Sequence, residues 1–141
     1  PGQHNLKADP ELMKALIRET SILVLNHDEA TFLLGSDHAS SDEEAILHAL
    51  SALGPQCIGL TDGARGAWVF DGKKMYSTVP PHVPRVVDST GAGDAFISGF
   101  FGALLHKYST ETALRWGISN SVSVIQEYGC TKGLLTERDL A

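Results

Sequence analysis

Cysteine is scarce in this chain. Only Cys57 and Cys130 occur in 141 residues, far apart and with no C-x-x-C spacing. That argues against a disulfide scaffold or a zinc ribbon and predicts two buried free thiols. The six histidines never fall as an H-x-x-x-H pair, the spacing that sets two imidazoles on one helix face for a metal. No apolar run approaches the length that spans a bilayer, and no charged-then-apolar leader opens the chain. The expectation is a cytoplasmic protein with no membrane partner. Basic residues are outnumbered, 11 against 17 acidic, for a formal net charge of -6. Nucleic acid normally demands a basic face, so it is not expected as a partner. A nucleotide, which needs only local donors and a metal ion, remains open. No G-x-x-x-x-G-K-[ST] loop occurs, and Phe96 stands where a dinucleotide fingerprint would carry its third glycine.

What is present is ordinary globular composition, 43% hydrophobic and 20% charged, enough for one domain with a core. Asp9 before Pro10 marks a helix start, and Leu12, Met13, Leu16 and Ile17 give that helix one apolar face to about Glu19. The run from Ser21 to Asn26 reads as a strand covered on both faces. A short helix follows from about Asp28 to Leu34, stopped by Gly35. Ser41 and Glu44 form an S-x-x-E capping box for a helix that ends at Gly54-Pro55. Cys57 to Thr61 is a second buried-type strand. Asp71-Gly72 joins strands at Ala67–Phe70 and Lys74–Val79 as a hairpin. Pro80 to Pro84 is a proline-rich connection. The helix from Gly93 to His106 is apolar nearly all round, hence buried. Ser109 or Thr110 caps a last long helix to about Tyr128, ended by Gly129. Strands alternating with helices predict a layered α/β fold with a parallel centre.

The strongest signal is Val87-Asp88-Ser89-Thr90-Gly91-Ala92-Gly93-Asp94-Ala95-Phe96. Glycines let a backbone approach a ligand closely. The first N–H groups of a helix lack internal partners, and with the helix dipole they form an anion site. Asp94 stands at its rim, an arrangement suited to phosphoryl transfer. By itself the string reads first as a tight turn followed by a first-turn acid. Asn26-His27-Asp28-Glu29 lies at the carboxyl end of a strand, where open α/β sheets bind ligands; Asn26 and Glu29 also read as simple helix caps. Thr61-Asp62-Gly63-Ala64-Arg65-Gly66 is a glycine turn. Gly117 and Ser121 stand one turn apart on the last long helix, where something can pack closely. His27, Trp68 and Trp116 are assigned to surface, core and core, with no chemistry.

The string D-S-T-G-A-G-D-A-F, continued by Ser98-Gly99-Phe100, resembles position for position the second signature of the pfkB carbohydrate kinases, the ribokinase family. N-x-x-E at Asn26–Glu29 and T-x-G-x-x-G at Thr61–Gly66 resemble that family's upstream motifs, in the same order. The resemblance covers essentially the whole chain but only the second half of the family's pattern. It implies a ribokinase-like three-layer α/β/α sandwich, incomplete, with the N-terminal half and lid absent. Residues 1–141 would be the C-terminal nucleotide-binding and catalytic portion of a kinase domain. The opening Pro1-Gly2-Gln3, without an initiator methionine, reads like the middle of a protein.

The activity implied is transfer of the ATP γ-phosphoryl to a sugar hydroxyl. Asp94 would be the base, and Gly91, Ala92 and Gly93 would line the anion hole. Asn26, Thr61, Gly63 and Gly66 would lie near the nucleotide phosphates. Gly117 would sit on the helix that borders the adenine pocket, or would serve plain helix packing. Glu29 would hold Mg2+ through water, and Asp88 with the Thr90 carbonyl would hold a monovalent cation, K+ being the candidate. Alternatives are a nucleoside (adenosine-like) kinase of the same family, to which Pro1-Gly2-Gln3 bears a faint likeness, and a non-catalytic half-domain. The half-domain would bind nucleotide or pair an open sheet edge with a second copy as a homodimer.

Overall fold

The computed structural model describes residues 9–35 and 42–140. Pro1-Gly2-Gln3 and Ser41 therefore lie outside the described residues. In order, the elements are α1 (Pro10–Arg18), β1 (Ile22–Asn26), α2 (His27–Leu34), α3 (Glu43–Ser51), β2 (Cys57–Thr61), a 3-10 turn (Gly63–Arg65), β3 (Ala67–Phe70) and β4 (Met75–Thr78). Then come α4 (Ala92–Leu105), α5 (Thr110–Val124) and α6 (Glu137–Leu140). The strands hydrogen-bond in the order β1-β2-β3-β4. The chain divides into two compact units, Pro1–Asp62 with Trp68–Met75, and Gly63–Ala67 with Tyr76–Ala141.

In the first unit β1 and β2 run parallel in a register that sets Leu23 against Ile58, Leu25 against Leu60 and Asn26 against Thr61. Gly59 fits because a Cβ there would stand 3.2 Å from the Val24 side chain. Leu23, Leu25, Ile58 and Leu60 are buried together with Ile17 of α1, Ala30 of α2 and Ile46, Leu47 and Leu50 of α3. This apolar burial is the dominant favourable contribution to that unit's stability. Asp9 caps α1, its Oδ1 accepting from Leu12 N at 3.0 Å, as the sequence predicts. The cap of α3 differs: it is Asp42, whose Oδ1 accepts from Ala45 N at 2.8 Å. An S-x-x-E pattern sets the helix start one residue early here because the adjacent aspartate is an equally good cap. Gly35 ends α2 with φ +93°, where L side chains are strained. At the hairpin, Asp71 Oδ1 accepts from both Lys73 N and Lys74 N.

In the second unit α4 packs on α5. Ala95, Phe96, Gly99, Phe100 and Ala103 form the buried face of α4, against Ala113, Leu114, Trp116, Gly117, Asn120 and Val124 of α5. The expectation that α4 is buried all round is not met within this chain, since Ile97 and Leu105 are exposed. Two glycines allow the close approach. A Cβ on Gly99 would stand 2.7 Å from the Trp116 carbonyl oxygen, and one on Gly117 would stand 2.8 Å from the Phe96 ring. α5 ends at Val124, four residues before the predicted Tyr128, because the chain turns at Ile125 to bond elsewhere. The carbonyl of Ile125 accepts from Val87 N at 2.8 Å and from Asp88 N at 3.3 Å. Cys57 is half-buried, but Cys130 is exposed, contrary to the expectation of two buried thiols; it lies in a loop beyond the helix end, where no core can cover it. Trp116 is buried, and Trp68 is half-buried against the first unit's core.

Candidate active site

The glycine string opens α4 as expected. Gly91 is the N-cap, left-handed at φ +79°, with no side chain capping the helix. A side chain at Gly91 would run into Cys130, whose Cα would lie 2.9 Å from the added carbon. Ala92 N donates to the Ser89 carbonyl at 3.2 Å and Ala95 N to the Gly91 carbonyl at 2.8 Å. The first-turn amides between them, those of Gly93 and Asp94, precede the helix's own bonding pattern and suit an anion. Nothing stands within 4 Å of a Cβ added at Gly93, so the approach over it is open. Asp94 is exposed in this first turn.

Asp88 stitches the loop. Its Oδ1 accepts from Thr90 N at 2.9 Å, and its Oδ2 accepts from Gly129 N, 41 residues away, at 3.2 Å. The Thr90 backbone bond first, then the Thr90 side chain and the Gly129 amide, hold the Asp88 carboxyl below its ordinary range. Each carboxylate oxygen keeps a further lone pair, so the donor set is compatible with a cation beside Thr90 without requiring one.

In the first unit Asn26 and Thr61 end adjacent parallel strands side by side. Asn26 also caps α2 in a reciprocal box: its Oδ1 accepts from Glu29 N at 2.8 Å, and Glu29 Oε2 accepts from Asn26 N at 3.1 Å. The cap occupies one oxygen of Glu29. Among the described residues no group of three or more His, Cys, Asp or Glu side chains could form a metal cage. A single carboxylate fits the mode in which magnesium keeps its waters and takes most of its ligands from substrate phosphates.

The second unit holds a cavity of about 490 Å³. Gly63 and Ala64 border it beside Ser89 and Ala92, so the glycine turn and the α4 loop share one hollow. Ile118, Ser121, Val122 and Ile125 of α5 form another wall, and Pro80 to Val83 with Val86 another. The proline-rich segment is thus a wall of the site, which sequence reading missed; its cue was a loop carrying Val79, Val83 and Val86 instead of polar residues. Gly117 lies one position away, under Phe96, where it serves helix packing. Gly66, φ +117°, is fixed by the carbonyl of Thr78, which a side chain there would strike.

The mixed α/β elements with their four-stranded sheet are those of an incomplete ribokinase-like fold. The chain matches the pfkB family carbohydrate kinase model over residues 4–137 and belongs to that family. It is 31% identical over 122 residues to an uncharacterized sugar kinase of Archaeoglobus fulgidus, covering 86% of this chain and 46% of that protein. To adenosine kinase 1 of Arabidopsis thaliana it is 45% identical over 116 residues, 75% of this chain and 33% of that one. The structure of Arabidopsis thaliana ribokinase complexed with ribose and ATP matches with a TM-score of 0.79 at 26% identity, over 90% of this chain and 41% of that one. The chain thus spans less than half the length of these relatives. Among the described residues no helix is long and apolar enough to cross a membrane.

Proposed function

We propose that this chain is the C-terminal nucleotide-binding and catalytic portion of an ATP-dependent kinase that phosphorylates a hydroxyl of a sugar or sugar-like acceptor. The observation that carries the reading is the first turn of α4, where uncapped amides and the exposed Asp94 carboxylate stand together behind a left-handed glycine. In this reading the Asp94 carboxylate accepts the acceptor's hydroxyl proton as that oxygen bonds to the γ-phosphorus. The bond from the γ-phosphorus to the bridging oxygen breaks, and ADP leaves. The amides from Gly91 to Asp94, chiefly those of Gly93 and Asp94, receive the negative charge on the moving phosphoryl group. Catalysis then rests on positioning and preorganised donors.

The cavity bordered by Ile118, Val122 and Ile125 takes the nucleoside part of ATP, its apolar walls suiting a flat base. Asn26, Thr61, Gly63 and Gly66 are assigned to the phosphates. Glu29 would, through water, hold magnesium, which would supply charge neutralisation on the phosphates. Asp88 and the Thr90 carbonyl are assigned to K+. Asp94→Asn in the full-length protein is expected to keep nucleotide binding and to lower turnover by several orders of magnitude, measured as ADP release. Near-normal turnover would sink the assignment.

A nucleoside acceptor is the second reading, favoured by the 45% identity to an adenosine kinase. Ribose, fructose and adenosine offered in parallel separate the two: turnover on adenosine alone establishes the second.

A further inference from the structure

Asn120 is the one buried polar residue among the described residues, 2% exposed in the middle of α5. Both of its N–H donors are used, and its oxygen accepts one bond. Nδ2 donates to the Ala95 carbonyl at 2.8 Å and to Ser98 Oγ at 2.9 Å, and Oδ1 accepts from Leu135 N at 2.8 Å. Ser98 Oγ also donates to the Ala95 carbonyl at 2.9 Å. A buried amide left without these partners is costly, so a side chain of this kind fixes what it touches.

What it touches is the residue next to Asp94. Ala95 is held at both ends: its N–H donates to the carbonyl of Gly91, the glycine cap, and its carbonyl is gripped by Asn120 from the neighbouring helix. An asparagine side chain is short, and it reaches across only because Gly99 and Gly117 let α4 and α5 close on each other. Its Cβ would lie 3.2 Å from a Cβ placed on Gly99. Through Leu135 the same side chain ties the segment after α5 to the first turn of α4.

We propose that Asn120 is a positioning residue for phosphoryl transfer. By clamping the Ala95 carbonyl it holds the first turn of α4, and with it the Asp94 carboxylate and the Gly93 and Asp94 amides, in the orientation the reaction requires. The inference rests on the assignment of Asp94 as base. Displacement of a reacting group by about 1 Å costs on the order of 100-fold in rate, so loosening this clamp acts on turnover more than on binding.

The test compares Asn120→Ala, Ser98→Ala, Asp94→Asn and the Asp94→Asn/Asn120→Ala pair in the full-length protein. Values of kcat and KM for ATP and acceptor are measured beside thermal unfolding. N120A is expected to lower kcat by roughly 10- to 100-fold, with both KM values changed less than about threefold. S98A, at an exposed position that leaves the Asn120–Ala95 bond in place, is expected to lower kcat by about two- to fivefold. The double variant is expected to lose less than the product of the two single losses, since much of the Asn120 effect runs through the Asp94 carboxylate. A loss of unfolding temperature with kcat unchanged in N120A, or additive losses in the double variant, overturns the proposal. Where N120A fails to fold, Asn120→Leu, nearly the same size but without the donating amide, decides, and unchanged kcat in it overturns the proposal. Inactive D94N with unimpaired N120A refutes this inference alone, whereas full turnover in D94N refutes the base assignment on which it stands.

Discussion

Gly91→Ala is the substitution for which the structure gives the firmest expectation. Gly91 sits at φ +79° and ψ 1° as the N-cap of α4, a left-handed conformation that costs an L-residue about 1–2 kcal/mol. The added methyl would also meet Cys130, with Cα at 2.9 Å and the carbonyl oxygen at 3.3 Å. Those are backbone atoms, so no change of rotamer relieves the clash, and overpacking of this kind costs about 1–3 kcal/mol. The sum is about 2–5 kcal/mol, a large share of the roughly 5–15 kcal/mol that holds a protein folded. Urea unfolding of the full-length protein reads it as a midpoint lowered by about 1–2.5 M, at a slope of about 2 kcal/mol per M. Cys130→Gly in the same background removes the nearest atom but leaves Cα, so it recovers about 1 kcal/mol and not the whole loss. A midpoint for G91A within about 0.2 M of the parent would refute both the left-handed cap and its contact with Cys130.

Two further expectations follow from the same atoms. Asp88 has its carboxyl held below its ordinary range by the amides of Thr90 and Gly129, so its contribution to stability is present above the unfolded value of 3.8 and is lost as pH falls through the lower folded value. Asp88→Asn should therefore flatten part of the acid limb of a stability-against-pH curve below about pH 4, and an unchanged limb would show that the clip does not form. Cys57 is pushed up to about 11, by burial first and the Asp71 charge second, whereas Cys130 is exposed. A thiol reagent at pH 8 should label Cys130 quickly and Cys57 far more slowly until the chain unfolds, because the thiolate is the reactive form; equal rates would contradict the partial burial of Cys57.

Local chemistry carried much of this protein into view. The caps at Asp9 and Asn26, the stop at Gly35, the turn at Asp71-Gly72 and the glycine entry into α4 depend on neighbours within a few residues, and each is legible in the sequence. So was the family, because the glycine string keeps its residues consecutive. Other features join residues far apart in the chain. The Asp88–Gly129 clip spans 41 residues and Asn120 reaches 25 back to Ala95. The 490 Å³ hollow takes its walls from a glycine turn, a proline-rich connection and α5. The end of α5 at Val124 was decided by a bond from Val87 to the Ile125 carbonyl. Helical periodicity is a property of one segment, whereas burial, cavity walls and buried amide networks arise only when segments meet. For that reason the sequence by itself determined the family and the glycine turn that opens α4, and tertiary packing alone decided what holds the first turn of α4 in place.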